Sequence, residues 1–282
     1  MELTKKYVFA IAAFVLPFFC NAQWKQGEVT PSYRRKMPPN KIDDAQVTVY
    51  YAFNATNIKD ESTYIDLGWL LVGKQHTKYA SYFVAHSDST HQPKLIKNGA
   101  ASGYAAQDFG GKYPNYWSEY QFDEIYIKDG KLTEYSFMPA NLDRECCTYT
   151  EAYPLQKWTL KDEQQIIHGY KCQKATCHWR GRDYTAWFAP EIPIKYGPWK
   201  FGGLPGLIVK ITDTKKEYTF ELVKLEKTKR PIMTYDFSRF RKVSREHMLK
   251  LQKKINVNWV SVLSPEAGAK FKNKPYSPME ME

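Results

Sequence analysis

The chain has 282 residues, 43% of them hydrophobic and 25% charged, and a formal net charge of +11. Such a chain buries a sizeable core as one large domain or a tight pair, and it shows neither a repeat of solenoid length nor a low-complexity tract. The positive balance suits an anionic surface such as lipid head groups or acidic glycans, but no nucleic-acid-binding motif accompanies it, so nucleic acid is not an expected partner.

The first residues read as an export signal. Lys5 and Lys6 precede an apolar run, Tyr7–Phe19, too short to stay as a membrane span, and "CNAQ" suits cleavage after Ala22. Residues 1–22 are therefore expected to be a signal peptide. Removing it takes two lysines and Glu2 away and leaves a net charge of +10. Residues 23–43, with Pro31, Pro38 and Pro39, read as an irregular lead-in, and 44–282 as a single β-rich domain. No second membrane segment follows. The short polar ending "KFKNKPYSPMEME" does not resemble a secretion domain, which points to the periplasm or an association with the outer membrane.

In "AQVTVYYAFNA", Val47, Val49, Tyr51 and Phe53 alternate with the period of a strand. "STYIDLGWLLVG" and "ASYFVAH" are further strand candidates, and Gln92–Trp117 reads as a loop with a helical turn. Three hairpins are predicted: a tight type I′ turn at Asp129-Gly130, a turn near Arg180–Asp183, and one at Asp213–Lys216. One helix stands out near the end, capped by Ser244, with Glu246 in its first turn and Met248, Leu251 and Ile255 on one face. The pattern is mainly β, of the α+β type: an antiparallel sheet with one or two helices to cover it.

Four cysteines survive cleavage: Cys146, Cys147, Cys172 and Cys177. An even count in an oxidising compartment predicts disulfides, with the connectivity left open. The same four thiols with His178 make the sharpest metal hypothesis, zinc or copper(I), but adjacent cysteines chelate one ion poorly and no C-x₂-C spacing occurs. No cofactor is expected. The hydrolase signals are weak: "HSDST" (His86–Thr90) sets hydroxyls and an acid beside a histidine, and Asp183 and Glu191 are lone acids. No catalytic residue is assigned.

The run "GPWKFGGLPGLIVKI" (Gly197–Ile211) is the most unusual. Pro205 and Gly206 suit the central positions of a type II turn with Gly206 at positive φ, and Gly202 and Gly203 leave room for another backbone or a ring such as Trp199. The Lys-Ser/Thr ending of a phosphate-binding loop is missing. This run, preceded by "GYKCQKATCHWRGRDYTAWFAPEIPI", resembles the GLPGLI family of exported envelope proteins, also called Porph_ging. The hexapeptide Gly203, Leu204, Pro205, Gly206, Leu207, Ile208 matches its namesake. The resemblance is strong from Gly169 to Ile211 and looser from Val47 onward. The family's function is not established, so it implies no catalytic residues. The chain is also similar to the bowl-shaped N-terminal domain of certain bacterial peptide-N-glycanases, a domain apart from their catalytic part, which implies a curved open sheet or half-barrel with a concave face.

If the sheet forms a bowl, Trp179, Trp187 and Trp199 are the expected lining of its concave face, and Arg180 and Arg182 the expected contacts for an anionic group. The expectation is a non-enzymatic envelope protein that binds a lipid-like ligand or a partner protein. A metal-binding or cryptic hydrolytic protein is the competing one.

Overall fold

The computed structural model describes residues 39–98, 110–112, 118–227, 229–257 and 276–281. The expected signal peptide and most of the predicted Gln92–Trp117 loop lie outside them. The chain begins with β1 (Asn40–Phe53), β2 (Asp66–Gly73), β3 (Thr77–Ser81) and α1 (Tyr82–Asn98). After α2 (Glu119–Phe122) come β4 (Asp123–Lys128), β5 (Lys131–Ser136) and β6 (Cys147–Ala152). Then follow β7 (Thr159–Ile167), β8 (Tyr170–Trp179), β9 (Arg182–Ala189), β10 (Leu207–Asp213) and β11 (Thr219–Glu226). β12 (Arg230–Thr234), β13 (Arg241–Lys242) and α3 (Arg245–Val257) complete the elements.

The strands form one open sheet in the order β13-β6-β5-β4-β3-β2-β1-β11-β10-β9-β8-β7, with β12 added on β1. The pairs are antiparallel except β13 with β6. Bulges interrupt the register of β1 against three partners, and two more fall in β7–β8 and β9–β10. Each extra residue bends its strand and strengthens the twist. The sheet curls so far that β6, near one end of the order, meets the β8–β9 turn near the other. Glu151 of β6 receives two hydrogen bonds from Arg180, at 2.7 and 2.8 Å. The ends touch through side chains, not through a strand ladder, so the half-barrel stays open.

Its inner face carries Val49, Tyr51 and Phe53 of β1, with Leu70, Ile125, Phe188 and Ile211, in one core cluster. The predicted alternation in β1 is borne out, but its last residues are buried on both faces. Tyr50 and Ala52 pack in a second cluster with Leu67 and the start of α1, Phe83 and Val84. The three predicted hairpins form where expected. Asp129 and Gly130 have φ of 49° and 69°, and Arg180 and Gly181 have 47° and 79°, the paired positive values a type I′ turn requires. A fourth hairpin, β7–β8, turns at His168-Gly169 in the same way, with φ of 50° and 82°. The predicted helix is α3. His247 N–H donates to the Ser244 hydroxyl at 3.2 Å, while Met248 and Ile255 are buried and Leu251 packs beside them.

Several expectations are corrected. The lead-in ends four residues early, because β1 starts at Asn40 and pairs there with β12. "ASYFVAH" is strand only to Ser81; its tail opens α1, whose Val84 N–H is received by the Ser81 hydroxyl at 3.1 Å. The cap forms there because Phe83 and Val84 at the start of α1 pack in the second cluster, and this packing overrides the apolar pattern. "HSDST" lies within α1, and Ser89 and Thr90 donate back to the His86 carbonyl, as hydroxyls within helices do. The type II turn is replaced as well. Gly203 takes the positive φ, at 82°, and Gly206 does not. Gly206 is needed for another reason: a Cβ there would lie 2.2 Å from the Ala189 carbonyl oxygen. The close approach expected at Gly202 is made, by the Lys195 carbonyl and by the ring of Tyr153 in place of Trp199.

No disulfide joins any of the four cysteines to another. Cys146 and Cys147 are buried in the second cluster, where Met138 N–H donates to the Cys146 sulfur at 3.3 Å. Cys172 and Cys177 are buried in the inner cluster on β8. Packing in separate clusters keeps the two pairs apart. The competing metal hypothesis loses its ligand set for the same reason, and among the described residues no three His, Cys, Asp or Glu side chains gather as ligands. Also among the described residues, no helix is long and apolar enough to cross a membrane.

Candidate functional site

The β9–β10 connection, Pro190–Gly206, fills the mouth of the half-barrel. It folds back on itself: Gly197 N–H donates to Phe201 O, Gly203 N–H to Lys195 O, and Leu207 N–H to Ile192 O. Gln156 ties it to the β6–β7 segment, donating to the Lys200 carbonyl and accepting from Gly202 N–H. Trp199 sits in left-handed backbone, φ 53°, a conformation that costs a non-glycine residue on the order of 1 kcal/mol and recurs at functional positions. The strain sends Trp199 into the aromatic cluster with Trp179 and Phe201, edge-on to Trp179 with ring centroids 5.6 Å apart. It also aims Lys200 inward.

Lys200 is the centre of the site, its side chain only 2% exposed. Its ammonium lies 2.6 Å from Glu134 and 2.9 Å from Glu280, and donates to the Tyr149 hydroxyl at 3.0 Å. Burial pushes a lysine pKa down, but the two carboxylates outweigh it and hold this one above its ordinary value. Arg180 and Arg245 complete a cationic pocket around Glu280. Burial works to raise the Glu280 pKa, yet Lys200 and Arg180 keep it below the ordinary glutamate range.

Next to this pocket lies a row of acids on the inner face. Asp123 accepts from the Ser136 hydroxyl and from Gln252 of α3, the latter at 3.1 Å. Burial and then the neighbouring Glu134 push its pKa well up. Glu119, raised by burial, accepts from Asn256 at 3.1 Å and from the Tyr276 hydroxyl at 2.5 Å. Asp66, also raised by burial, titrates near 7 despite a 2.7 Å hydrogen bond from Ser81.

The site is occupied by the chain's own segment Tyr276–Met281. Arg182 is 5% exposed and donates through Nε to the Pro278 carbonyl at 2.7 Å and through Nη2 to Ser277 O and Oγ at 3.1 and 2.6 Å. Its other amine is held by Asp213 and Glu217, at 3.0 and 2.7 Å. Tyr184 donates to the Met279 carbonyl at 3.1 Å, and Tyr218 to that of Ser277. The Met279 side chain, 1% exposed, enters the inner cluster.

Of the five predicted ligand contacts, the structure gathers four. Trp179, Arg180, Arg182 and Trp199 meet at the mouth. Neither arginine is a solvated turn residue. Trp187 lies on the other face of β9, in register with Lys174 and Lys210. Lys200, Glu134, Glu280, Glu119 and Asp123 escaped the sequence reading. Lys200 had a visible signal, a lone lysine between Trp199 and Phe201. Glu134 had one too, a charge in phase with Leu132 on the inward side of β5. The Lys200 amine is held as an ammonium, paired with Glu134 and Glu280.

Two solved structures of PNGF-II, in P21 and C2 space groups, are similar to this chain. The first has 15% identity over 76% of this chain and 34% of its own, with a TM-score of 0.46; the second has 14%, 76%, 33% and 0.45. This chain therefore spans about a third of the length of those proteins. No curated protein matches it. Residues 179–210, which carry Arg180, Arg182, Lys200 and the GLPGLI hexapeptide, match the family described as "Protein of unknown function (Porph_ging)".

Proposed function

We propose that this is an exported, non-enzymatic envelope protein that binds a partner protein at the mouth of its half-barrel. The observation that carries the reading is that the mouth already holds a polypeptide, Tyr276–Met281, through buried arginine, lysine and tyrosine side chains. The carriage of a lipid-like ligand has less support. The inner face is filled by its own side chains: Val49, Tyr51, Leu70, Phe188 and Phe201 are each at most 1% exposed. A depression of about 370 Å³ beside β4 and β5 is open and of mixed lining, with Lys128, Asp129 and Lys131 beside Ile42, Tyr126 and Tyr135, and is not the enclosed apolar cavity that would sheathe an acyl chain.

A photo-crosslinking residue placed at Leu155, which is 64% exposed and lies against Gly203 of the mouth loop, tests the reading in the native envelope. Lys74, in the exposed β2–β3 turn, serves as control. A polypeptide adduct from position 155 and none from position 74 is expected. A lipid adduct, or equal capture at both positions, removes the reading.

A further inference from the structure

We propose that the cleft formed by Arg180, Arg182, Tyr184, Lys200 and Tyr218 is a receptor site for an extended acidic peptide, with Tyr276–Met281 as its displaceable internal occupant. This rests on the partner-binding reading above and names the partner's chemistry: a segment with a buried apolar residue followed by a glutamate.

Three consecutive carbonyls of the occupant, those of Ser277, Pro278 and Met279, all accept hydrogen bonds from site side chains: Arg182, Tyr218 and Tyr184. Every peptide has such carbonyls, so this grip fixes a direction and an extended path with little regard to sequence. Sequence is read by two pockets. The first takes Met279 among the inner aromatic side chains. The second takes the Glu280 carboxylate among Lys200, Arg180 and Arg245, with Lys200 at 2.9 Å and Arg245 at 3.4 Å. Charge-assisted contacts of this kind are short, strong and selective for a carboxylate.

The occupant adds no strand to the sheet, whose order is complete without it. Among the described residues, its main chain makes one hydrogen bond to main chain, Met281 N–H to Arg180 O at 3.0 Å. The remaining contacts are of the kind a separate peptide makes with a receptor. Without Glu280, the three more deeply buried cations keep carboxylate partners: Lys200 has Glu134, Arg180 has Glu151, and Arg182 has Asp213 and Glu217, while Arg245 is 28% exposed and reaches solvent. An emptied cleft therefore leaves no fully buried cation without a carboxylate and is ready for a second segment.

The test is fluorescence anisotropy with a labelled Tyr-Ser-Pro-Met-Glu-Met peptide and the full chain carrying Met279→Ala and Glu280→Ala in its own segment. The variant is expected to bind the peptide, and to bind the same peptide with its glutamate replaced by alanine on the order of tenfold or more weakly. The unaltered chain, whose site is filled, is expected to bind far less. Should the variant not fold, hydrogen exchange on the unaltered chain decides. A millimolar excess of peptide is expected to speed exchange at the Met279 and Met281 amides while the β8–β9 amides stay protected. No binding by a folded variant, equal binding of both peptides, or unchanged exchange at Met281 overturns the proposal and leaves the segment a structural strap. If the mouth crosslinks a partner but the peptide does not bind, only this inference fails. If neither occurs, the partner-binding reading fails with it.

Discussion

Gly206 and Gly130 show how differently two glycines of one chain are constrained. Gly130 stands in an open turn, where an added Cβ meets nothing within 4 Å and only its φ of 69° is strained. Gly206 presses on the Ala189 carbonyl with no room to retreat. Gly206→Ala is therefore expected to cost about 3 kcal/mol or more, and Gly130→Ala about 1 kcal/mol, measured by urea unfolding. Asp66 carries a pH signature. Its carboxyl titrates at about 7 when folded, against 3.8 ordinarily. Between those values the folded state holds a proton that the unfolded state has released, so stability falls as pH rises from 4 to 7. Asp66→Asn is expected to flatten that decline and to stabilise the protein at pH 8 by up to about 4 kcal/mol. Parallel urea midpoints at pH 4 and pH 8 check it; an unchanged difference between the two would mean that Asp66 is ionised in the fold.

At the scale of elements, the cysteines distinguish the strands that carry them. Burial pushes the Cys147 thiol up to about 12, Cys172 to about 11 and Cys177 to about 12, so none offers thiolate at neutral pH. In the native protein at pH 8 all four are expected to resist a thiol reagent for hours, and to react together once denaturant opens β6 and β8. A chain four protons lighter than its reduced form, with no thiol released on unfolding, would instead mean two disulfides. The β7 strand is the exposed edge of the sheet, with Leu160 and Ile166 open to solvent. Its bulge and its charged run Lys161-Asp162-Glu163 are devices that discourage edge-to-edge pairing.

For the whole molecule, closure depends on charge pairs that bridge distant parts of the chain. Lys200 joins β5, β6 and the Tyr276–Met281 segment at one buried point. Lys200→Ala leaves Glu134 buried and Glu280 with fewer partners, and is expected to cost about 3–5 kcal/mol, with the segment becoming cleavable by added protease. Acid acts on the same contact. Glu280 has a lowered pKa in the fold, so its stabilisation is full above the ordinary value and is lost as pH falls through the folded one. Hydrogen exchange at Met281 is expected to quicken below about pH 4, and acceleration at higher pH instead would place the sensitive group elsewhere.

The regular elements of this protein are legible in short stretches of its sequence. Alternation gave β1 its inward face, paired turn residues gave the hairpins at Asp129-Gly130 and Arg180-Gly181, and a serine cap with apolar spacing gave α3. These signals are local: each depends on backbone preferences and on neighbours a few positions away. Tertiary structure decided the rest. Whether Ser81 continued a strand or capped a helix depended on α1 packing over β2, and whether four thiols paired depended on which cluster each joined. The site itself is built from residues as far apart as Glu134, Lys200 and Glu280. No pattern links them, because what brings them together is the curl of a bulged sheet. The charges at those positions are stable in the interior only once the half-barrel has supplied each with its partner.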